Sequence, residues 1–574
     1  MRFQDQSCCI GLVMLFFATA FCSLCSAAEL RKVALSGELV PGNSGVFAGF
    51  GVPVLNDAGQ VAFVGTRIVN GFGTFNGIWS EGNGSMALVA EAGSLAPGTT
   101  QNFLSFQRLA LNDAGQTHFC GSTADGIGIW SEGNGPLSLV AIEGHAAPNT
   151  SGVFWSVANG FPIPVFNDTG QTTIIGTVIT PGIPDNQQGI WATKSGTLAL
   201  VALAGDAAPT NSPGEFFANP FSNPVINSEG HLAFLGGLTG PPEVGGNFGT
   251  AVWLEADGIL TEVARTGVSI PGTTHTVLGF DNPVINDLGR TAFRGHLNGN
   301  AGWGVWSEGS GNLDLVARTG DEAPGTTASF STLHLPVLSN TGETAFQGAL
   351  FGPGVDQNNS SGIWAERDGS LALVARAGDI APGTNAPFSY FTNENNPVIN
   401  ALGQVAFTAR AGGADGIWAQ DSSGVLSLIA LEGDTIDVGN GGNPDLRTIA
   451  HLDFISNSLV MNSGNGDGRP SGLNDLGQLA FRAMFTDSTS GIFVSSEAAV
   501  NGDFNNSGMV DGADFLAWQR GESPIPLSIS DLVIWENSYG SSTLLSAVST
   551  TVPEPSSHVV ILLGCFFAAI YWRT

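Results

Sequence analysis

Apolar residues along this chain fall into short runs cut by glycine, asparagine, aspartate and proline, and the runs recur in a fixed order. In the first unit "VPVLN" ends at Asn56, "QVAFVG" begins at Gln60, "GIWS" begins at Gly77 and "MALVA" begins at Met86. Runs this short, rich in Val, Ile, Phe, Trp and Leu and bounded by turn formers, predict β-strands rather than helices. Both alternating faces of each run are apolar. That suits strands held between neighbouring sheets, not strands with one face in water.

The polar stretches between runs recur as faithfully. "NDAGQVAF" at residues 56–63 returns, with variations, at Asn112, Asn167, Asn227, Asn286, Ser339, Asn400 and Asn474. The eight starts lie 56, 55, 60, 59, 53, 61 and 74 residues apart, a spacing that defines a repeat architecture. Asn and Asp hydrogen-bond their own backbone and Gly supplies the left-handed position, so NDxG predicts a tight turn between the first and second strands. "SEGNGS" from Ser80, "SEGNGP" from Ser131 and "SEGSGN" from Ser307 predict similar turns between the third and fourth. The third strand carries Trp79, Trp130, Trp191, Trp253, Trp306, Trp364 and Trp418, with Phe493 in the eighth unit. One large aromatic per unit at one place reads as a packing anchor between sheets.

The fourth strand begins at Met86, Leu137, Leu198, Leu260, Leu313, Leu371 and Leu426, and the last unit lacks it. An orphan copy, "LRKVA" at residues 30–34, stands ahead of the first unit. A linear stack gives no reason for this permutation. A ring does, because the borrowed strand joins the two ends and removes open edges. The expected fold is all-β: an eight-bladed β-propeller over residues 29–497 whose N-terminal strand closes the last blade. The units resemble the tandem NxxGxxAF β-propeller-type repeats of secreted bacterial proteins, a resemblance that implies no particular chemistry.

Strand alternation sorts the connections. The NDxG and SEGNG turns share one face of the disc. The longer second-to-third loops, such as residues 67–76, and the unit-to-unit loops "AGSLAPGT", "TGDEAPGT" and "AGDIAPGT" share the other. Binding residues concentrate on loops held by a rigid scaffold, so function is expected on the long-loop face or in the central channel. Asp206, Asp321, Asp379 and Asp434 in these loops read as solvated turn residues, with a calcium-lined rim as the sharper alternative. The insertion at residues 432–471 reads as a Gly-rich loop, with Asn462, Asn465 and Asp467 as candidate cation ligands.

Charge and composition narrow the function classes. The chain carries 18 Lys+Arg against 49 Asp+Glu, a formal net charge of −31, which excludes nucleic acid as a natural partner. Of six cysteines only Cys120 lies in the repeat region, so no disulfide framework is expected there, and the thiol reads as buried and inert. The eight histidines are scattered, and no GxSxG, HExxH, P-loop or CxxC motif is present. A pair of glycosidase carboxylates would need a separation that sequence does not supply.

The flanks give an address. Residues 1–28 have the charge, apolar core and small-residue end of a secretory signal peptide, with cleavage between Ala28 and Glu29. Within residues 498–541, "DFNNSGMVDGAD" places Asp503, Asn505, Ser507, Asp511 and Asp514 at oxygen-donor positions, with the Met509 carbonyl and a bend at Gly508. That is the ligand spacing of a calcium loop, although it ends in Asp rather than Glu. A helix-like run, "ADFLAWQRG", follows, and "ISDLVIWENSYG" from Ile529 echoes it. The two halves resemble a dockerin type I module, which implies Ca2+ and a cohesin-like partner and often accompanies polysaccharide-degrading enzymes. Residues 542–552 form a Ser/Thr-rich linker. Pro553, Glu554 and Pro555, an apolar run from Val559 and terminal basic Arg573 resemble a PEP-CTERM sorting signal over residues 553–574. This implies exosortase-type sorting machinery and a C-terminal transmembrane segment. Together these expectations describe an exported, envelope-associated, non-catalytic binding or display protein. The alternatives are a polysaccharide-active enzyme with its site on the long-loop face, and a structural matrix or adhesion protein.

Overall fold

A computed structural model describes residues 30–495 apart from 43, 70, 158–164, 195, 211–213, 241–246, 368, 392–395, 440–443 and 456–465, and then 504, 510–520, 532, 535 and 539. Its strands form eight antiparallel sheets in chain order, one per sequence unit. Blade 1 runs outward from a broken inner strand, Val46–Phe50 and Val54–Leu55, through Val61–Val69 and Gly73–Ser80 to Ala87–Glu91. The other blades repeat this order. The all-β, eight-bladed propeller is therefore the fold.

Closure follows the permutation. Leu30–Leu35 is the outer strand of blade 8, with Leu30 opposite Ser495, Lys32 opposite Phe493 and Leu35 opposite Gly491. Ala34 and Leu35 are buried by it, and Lys32 spans the seam by donating to Glu38 at 2.6 Å and to the Val438 carbonyl at 2.7 Å.

Between blades the core is made by the residues that recur. All seven tryptophans of the third strand are fully buried. Each takes an edge-on or stacked phenylalanine, as with Phe103 at 4.8 Å from Trp130 and Phe388 at 4.9 Å from Trp418. Five of the indoles also donate to a proline carbonyl in the APGT segment, or its APNT or IPGT variant, leading into their own blade: Trp130 to Pro97, Trp191 to Pro148, Trp306 to Pro271, Trp364 to Pro324 and Trp418 to Pro382. The loop whose aspartates suggested a cation rim thus caps the aromatic core.

Two expectations about the loops are corrected. Residues 67–76 are not a long loop: the second and third strands of blade 1 run on to Val69 and from Gly73, pairing Arg67 with Phe75 and Val69 with Gly73. Arg67 there is paired to Glu91 and lies over the Phe75 ring at 4.6 Å, so polar residues that looked like loop extend the ladder. The insertion at residues 432–471 is not a plain Gly-rich loop either. It contains Thr435–Asp437 and the inner strand of blade 8, Leu446–Phe454.

Beyond the ring, helix Gly512–Gln519 forms where the ADFLAWQ run predicted one. Its Phe515 ring lies 4.9 Å from Trp535, whose indole donates to the Asp511 carbonyl at 2.8 Å. Among the described residues no helix is long and apolar enough to cross a membrane, and the expected C-terminal transmembrane segment lies outside them.

Candidate functional site

The NDxG turns meet at the inner ends of the blades, and there they do more than reverse the chain. Asn56 accepts from the Gln60 amide at 2.9 Å through its own Oδ1, which makes the turn. Its Nδ2 donates to Gln60 Oε1 and, at 2.9 Å, to the carbonyl of Asn112 in the next blade. The same bond runs from Asn112 to Asn167, Asn167 to Asn227, Asn227 to Asn286, Asn286 to Ser339, Asn400 to Asn474, and across the seam from Asn474 to Asn56. Only the step from Ser339 lacks it, because a serine has no second donor arm. The asparagines are buried, so each bond is formed away from water, where losing a partner is costly.

A second ring lies against the first. The Asp57 amide donates to Asp113 Oδ1 at 2.8 Å, Asp113 to Asp168, Ser228 to Asp287, Asp287 to Asn340, Ala401 to Asp475 and Asp475 to Asp57. Five carboxylates, from Asp57, Asp113, Asp168, Asp287 and Asp475, thereby line a cavity of about 110 Å³ at the mouth of the channel. Burial, reinforced by the neighbouring Asp475 carboxylate, pushes Asp57 up to about 7. Burial, with Asp57 and Asp168 on either side, does the same to Asp113. Asp475 is raised too, chiefly by burial.

A strap of the chain crosses the channel. Residues 466–473 leave the blade 8 insertion and cross to the opposite wall. The Asp467 carbonyl accepts from the Ile226 amide of blade 4, Gly468 from Phe166 of blade 3 at 2.8 Å, and Ser471 from Leu55 of blade 1 at 2.8 Å. Gly468 takes φ +73° so close to the wall that a Cβ would stand 2.6 Å from Val165 Cγ1 and 2.9 Å from the Ile226 carbonyl oxygen. Arg469 is the only cation among the described lining residues. It is held by Asp467 through Nε at 2.7 Å and through Nη2, both side chains being buried. Asp467, a candidate cation ligand by sequence, is therefore the counter-ion of Arg469.

The remaining sequence candidates are dispersed. Asp206, Asp321, Asp379 and Asp434 stand one per blade linker and do not converge; Asp321 pairs with Arg318 at 3.0 Å. Among the described residues no group of three or more His, Cys, Asp or Glu could hold a metal. Cys120 is buried, and burial pushes its thiol up to about 12, so it is the inert thiol expected. Of the histidines, His118 is fully buried, stacked on Phe166 at 5.1 Å and held near 3 by burial. Thr172 Oγ1 donates to the Val165 carbonyl, so His118 Nε2, 3.3 Å away, carries the proton toward Thr172.

In the expected calcium loop, Asp511 caps helix Gly512–Gln519 by accepting from Ala513, and Asp514 returns the bond to the Asp511 amide at 2.8 Å, a capping box. Asp503, Asn505, Ser507 and Met509 lie outside the described residues, as do Asn462, Asn465, the Ala28–Glu29 cleavage site and Pro553, Glu554 and Pro555.

Sequence reasoning missed the two interlocked rings. The signal was present: a turn needs one glycine and one short polar residue, yet Asn heads seven of the eight copies and Asp follows in five. That excess marks a second duty.

Fold and channel together define a closed eight-bladed propeller whose channel is crossed by a strap. The chain belongs to a family of unknown function, DUF7453, whose model matches residues 23–77 and 73–501. No curated protein matches. Solved structures are similar only distantly. The β-propeller domain of the Trilobed protease from Pyrococcus furiosus is 10% identical, covering 67% of this chain and 98% of that one, with a TM-score of 0.35. Prolyl oligopeptidase B from Galerina marginata is 10% identical over 67% of this chain and 51% of its own, with a TM-score of 0.35. An oligogalacturonate lyase in complex with manganese is 11% identical over 70% and 98%, with a TM-score of 0.33.

The raised carboxyls fix the sign of a pH dependence. A carboxyl at about 7 in the fold and near 3.8 in the unfolded chain favours folding fully below pH 4, and that contribution is lost as pH rises through 7. Asn340 already plays the aspartate's part, accepting from Asp287 and donating back to it. Asp113→Asn is therefore expected to raise stability at pH 8 by on the order of 1–2 kcal/mol, after allowance for solvent screening, and to leave it nearly unchanged at pH 4. Thermal unfolding at the two pH values checks this.

Proposed function

We propose that this protein is an exported, envelope-associated scaffold that binds and displays rather than transforms its ligand, and that a neutral polysaccharide binds its loop face. The carrying observation is where large apolar side chains reach water. On the face opposite the NDxG turns, blades 1 to 3 and their linkers expose Ile68, Phe72, Leu95, Leu104, Trp155 and Ile183. Phe72 is 80% exposed and Trp155 is 63% exposed. Leu278, Phe351 and Ile380 of later blades are exposed on the same face, and Phe72 and Trp155 are the most exposed aromatic side chains among the described residues. Aromatic faces suit the C–H faces of sugar rings, and few rotors make such contacts cheap in entropy. A net charge of −31 repels anionic polymers, which favours a neutral one.

Binding is preferred to hydrolysis because the acids that approach one another on this face are already engaged: Glu215 and Glu262 flank Arg265, Asp445 and Asp487 flank Arg447, and Glu432 accepts from the Asp415 amide. The opposite mouth is spent on interblade bonds and on the strap. The dockerin-like calcium module, a cohesin-like partner and the exosortase-sorted tail belong to the same proposal. The helix at Gly512–Gln519 packed on Trp535 supports the module.

Retention of the intact protein on neutral glucans and galactans, with polygalacturonate as the anionic control, tests the surface. The double variant Phe72→Ala, Trp155→Ala is expected to lose about tenfold or more in affinity. Retention on no neutral polymer, or retention unchanged by the double variant, contradicts the proposal. Calorimetry on the full chain tests the module: one calcium-binding event is expected, abolished by Asp503→Ala, and no heat of binding contradicts it.

A further inference from the structure

The strap is held in an unusual way for something at the centre of a fold. A permanent core element buries apolar side chains. Residues 466–469 read Gly-Asp-Gly-Arg and bring none; the buried apolar residues Pro470 and Leu473 come only where the strap rejoins blade 8. They contribute backbone carbonyls to the amides of Phe166 and Ile226, with Ser471 serving Leu55, and one guanidinium paired with the strap's own Asp467. The walls supply what an extended peptide needs: amides from the inner edges of three blades, a surface that tolerates only glycine opposite Val165 and Ile226, and five carboxylates lining the cavity that Arg469 also lines.

We propose that the channel is a peptide-binding groove filled in cis by residues 466–473, and that it accepts in trans an extended, glycine-containing, arginine-bearing segment of another polypeptide. Three features select the partner. Edge amides select extended backbone by strand addition. The close wall selects glycine at the position of Gly468. The crown of Asp57, Asp113, Asp168, Asp287 and Asp475 selects a guanidinium over a neutral side chain. A tethered strap competes at an effective concentration on the order of millimolar, so a free segment enters only when the strap is weakened or the partner is tethered as well.

The test uses the full chain and a fluorescent peptide copying residues 466–473. Gly468→Val drives a side chain into Val165 and Ile226 and should unseat the strap. The variant is expected to bind the peptide at least about tenfold more tightly than the unaltered protein, and to lose about tenfold when the peptide's arginine is replaced by glutamine. A folded variant that does not bind, or equal binding by both proteins, overturns the proposal, as does indifference to the arginine. Should Gly468→Val fail to fold, amide exchange in the unaltered chain decides. Leu55, Phe166 and Ile226 exchanging together, ahead of the ladder amides of their blades, supports an exchangeable strap. Exchange of all three only with those ladders overturns it.

Discussion

One hydrogen bond, repeated, holds the molecule to its shape: the side-chain amide of the asparagine opening each NDxG turn reaches the backbone carbonyl of the next. A propeller places its blades edge-in around a narrow circumference, and the inner ends are where polar backbone would otherwise face the channel unsatisfied. Asparagine suits the place because one side chain both accepts and donates. Its oxygen makes the local turn and its nitrogen joins the neighbour. The bond from Asn474 to Asn56 carries the ring across the seam, so the borrowed strand Leu30–Leu35 is the outer half of a closure whose inner half is the asparagine ring.

The acids behind that ring show what the geometry costs. Each accepts a backbone amide from the blade before, which favours the charged form. Burial and adjacent acids oppose it and win at Asp57 and Asp113. The chain relieves the crowding by varying one position: Ser228, Asn340 and Ala401 stand where other blades carry aspartate. Asn340 keeps both bonds without the charge, Ser228 reaches Asp168 through its hydroxyl, and Ala401 contributes only its amide. Interblade bonding is thereby gathered at the turn mouth of the disc, while exposed apolar side chains lie at the loops of the other face.

Much of the fold was legible in the sequence because its signals were local and periodic. The missing fourth strand of the last unit and the orphan at residues 30–34 gave the closure, and the tryptophan series gave the interblade core. What could not be read depended on neighbours far apart in the chain. NDxG explains itself as a turn, so nothing in one copy says that Asn227 also bonds the blade after it. The strap is rich in glycine, as loops are, and only the wall formed by Val165 and Ile226 shows why glycine is required. Polar residues such as Arg67 hid strand extension because their partners, here Glu91 and Phe75, come later in the chain. Of the residues expected to form a calcium loop, the two described, Asp511 and Asp514, form the cap of helix Gly512–Gln519.

The buried asparagines lock blade to blade rather than merely shape their own turns. Asn227→Asp separates the two roles, because aspartate keeps the oxygen that accepts from His231 and loses the nitrogen that donates to the Asn286 carbonyl. If the interblade bond governs, chemical unfolding should show a loss of about 2–4 kcal/mol, from a missing donor and a carboxylate left facing a carbonyl. A variant within about 0.5 kcal/mol of the unaltered protein, the range of an ordinary surface substitution, would contradict the account.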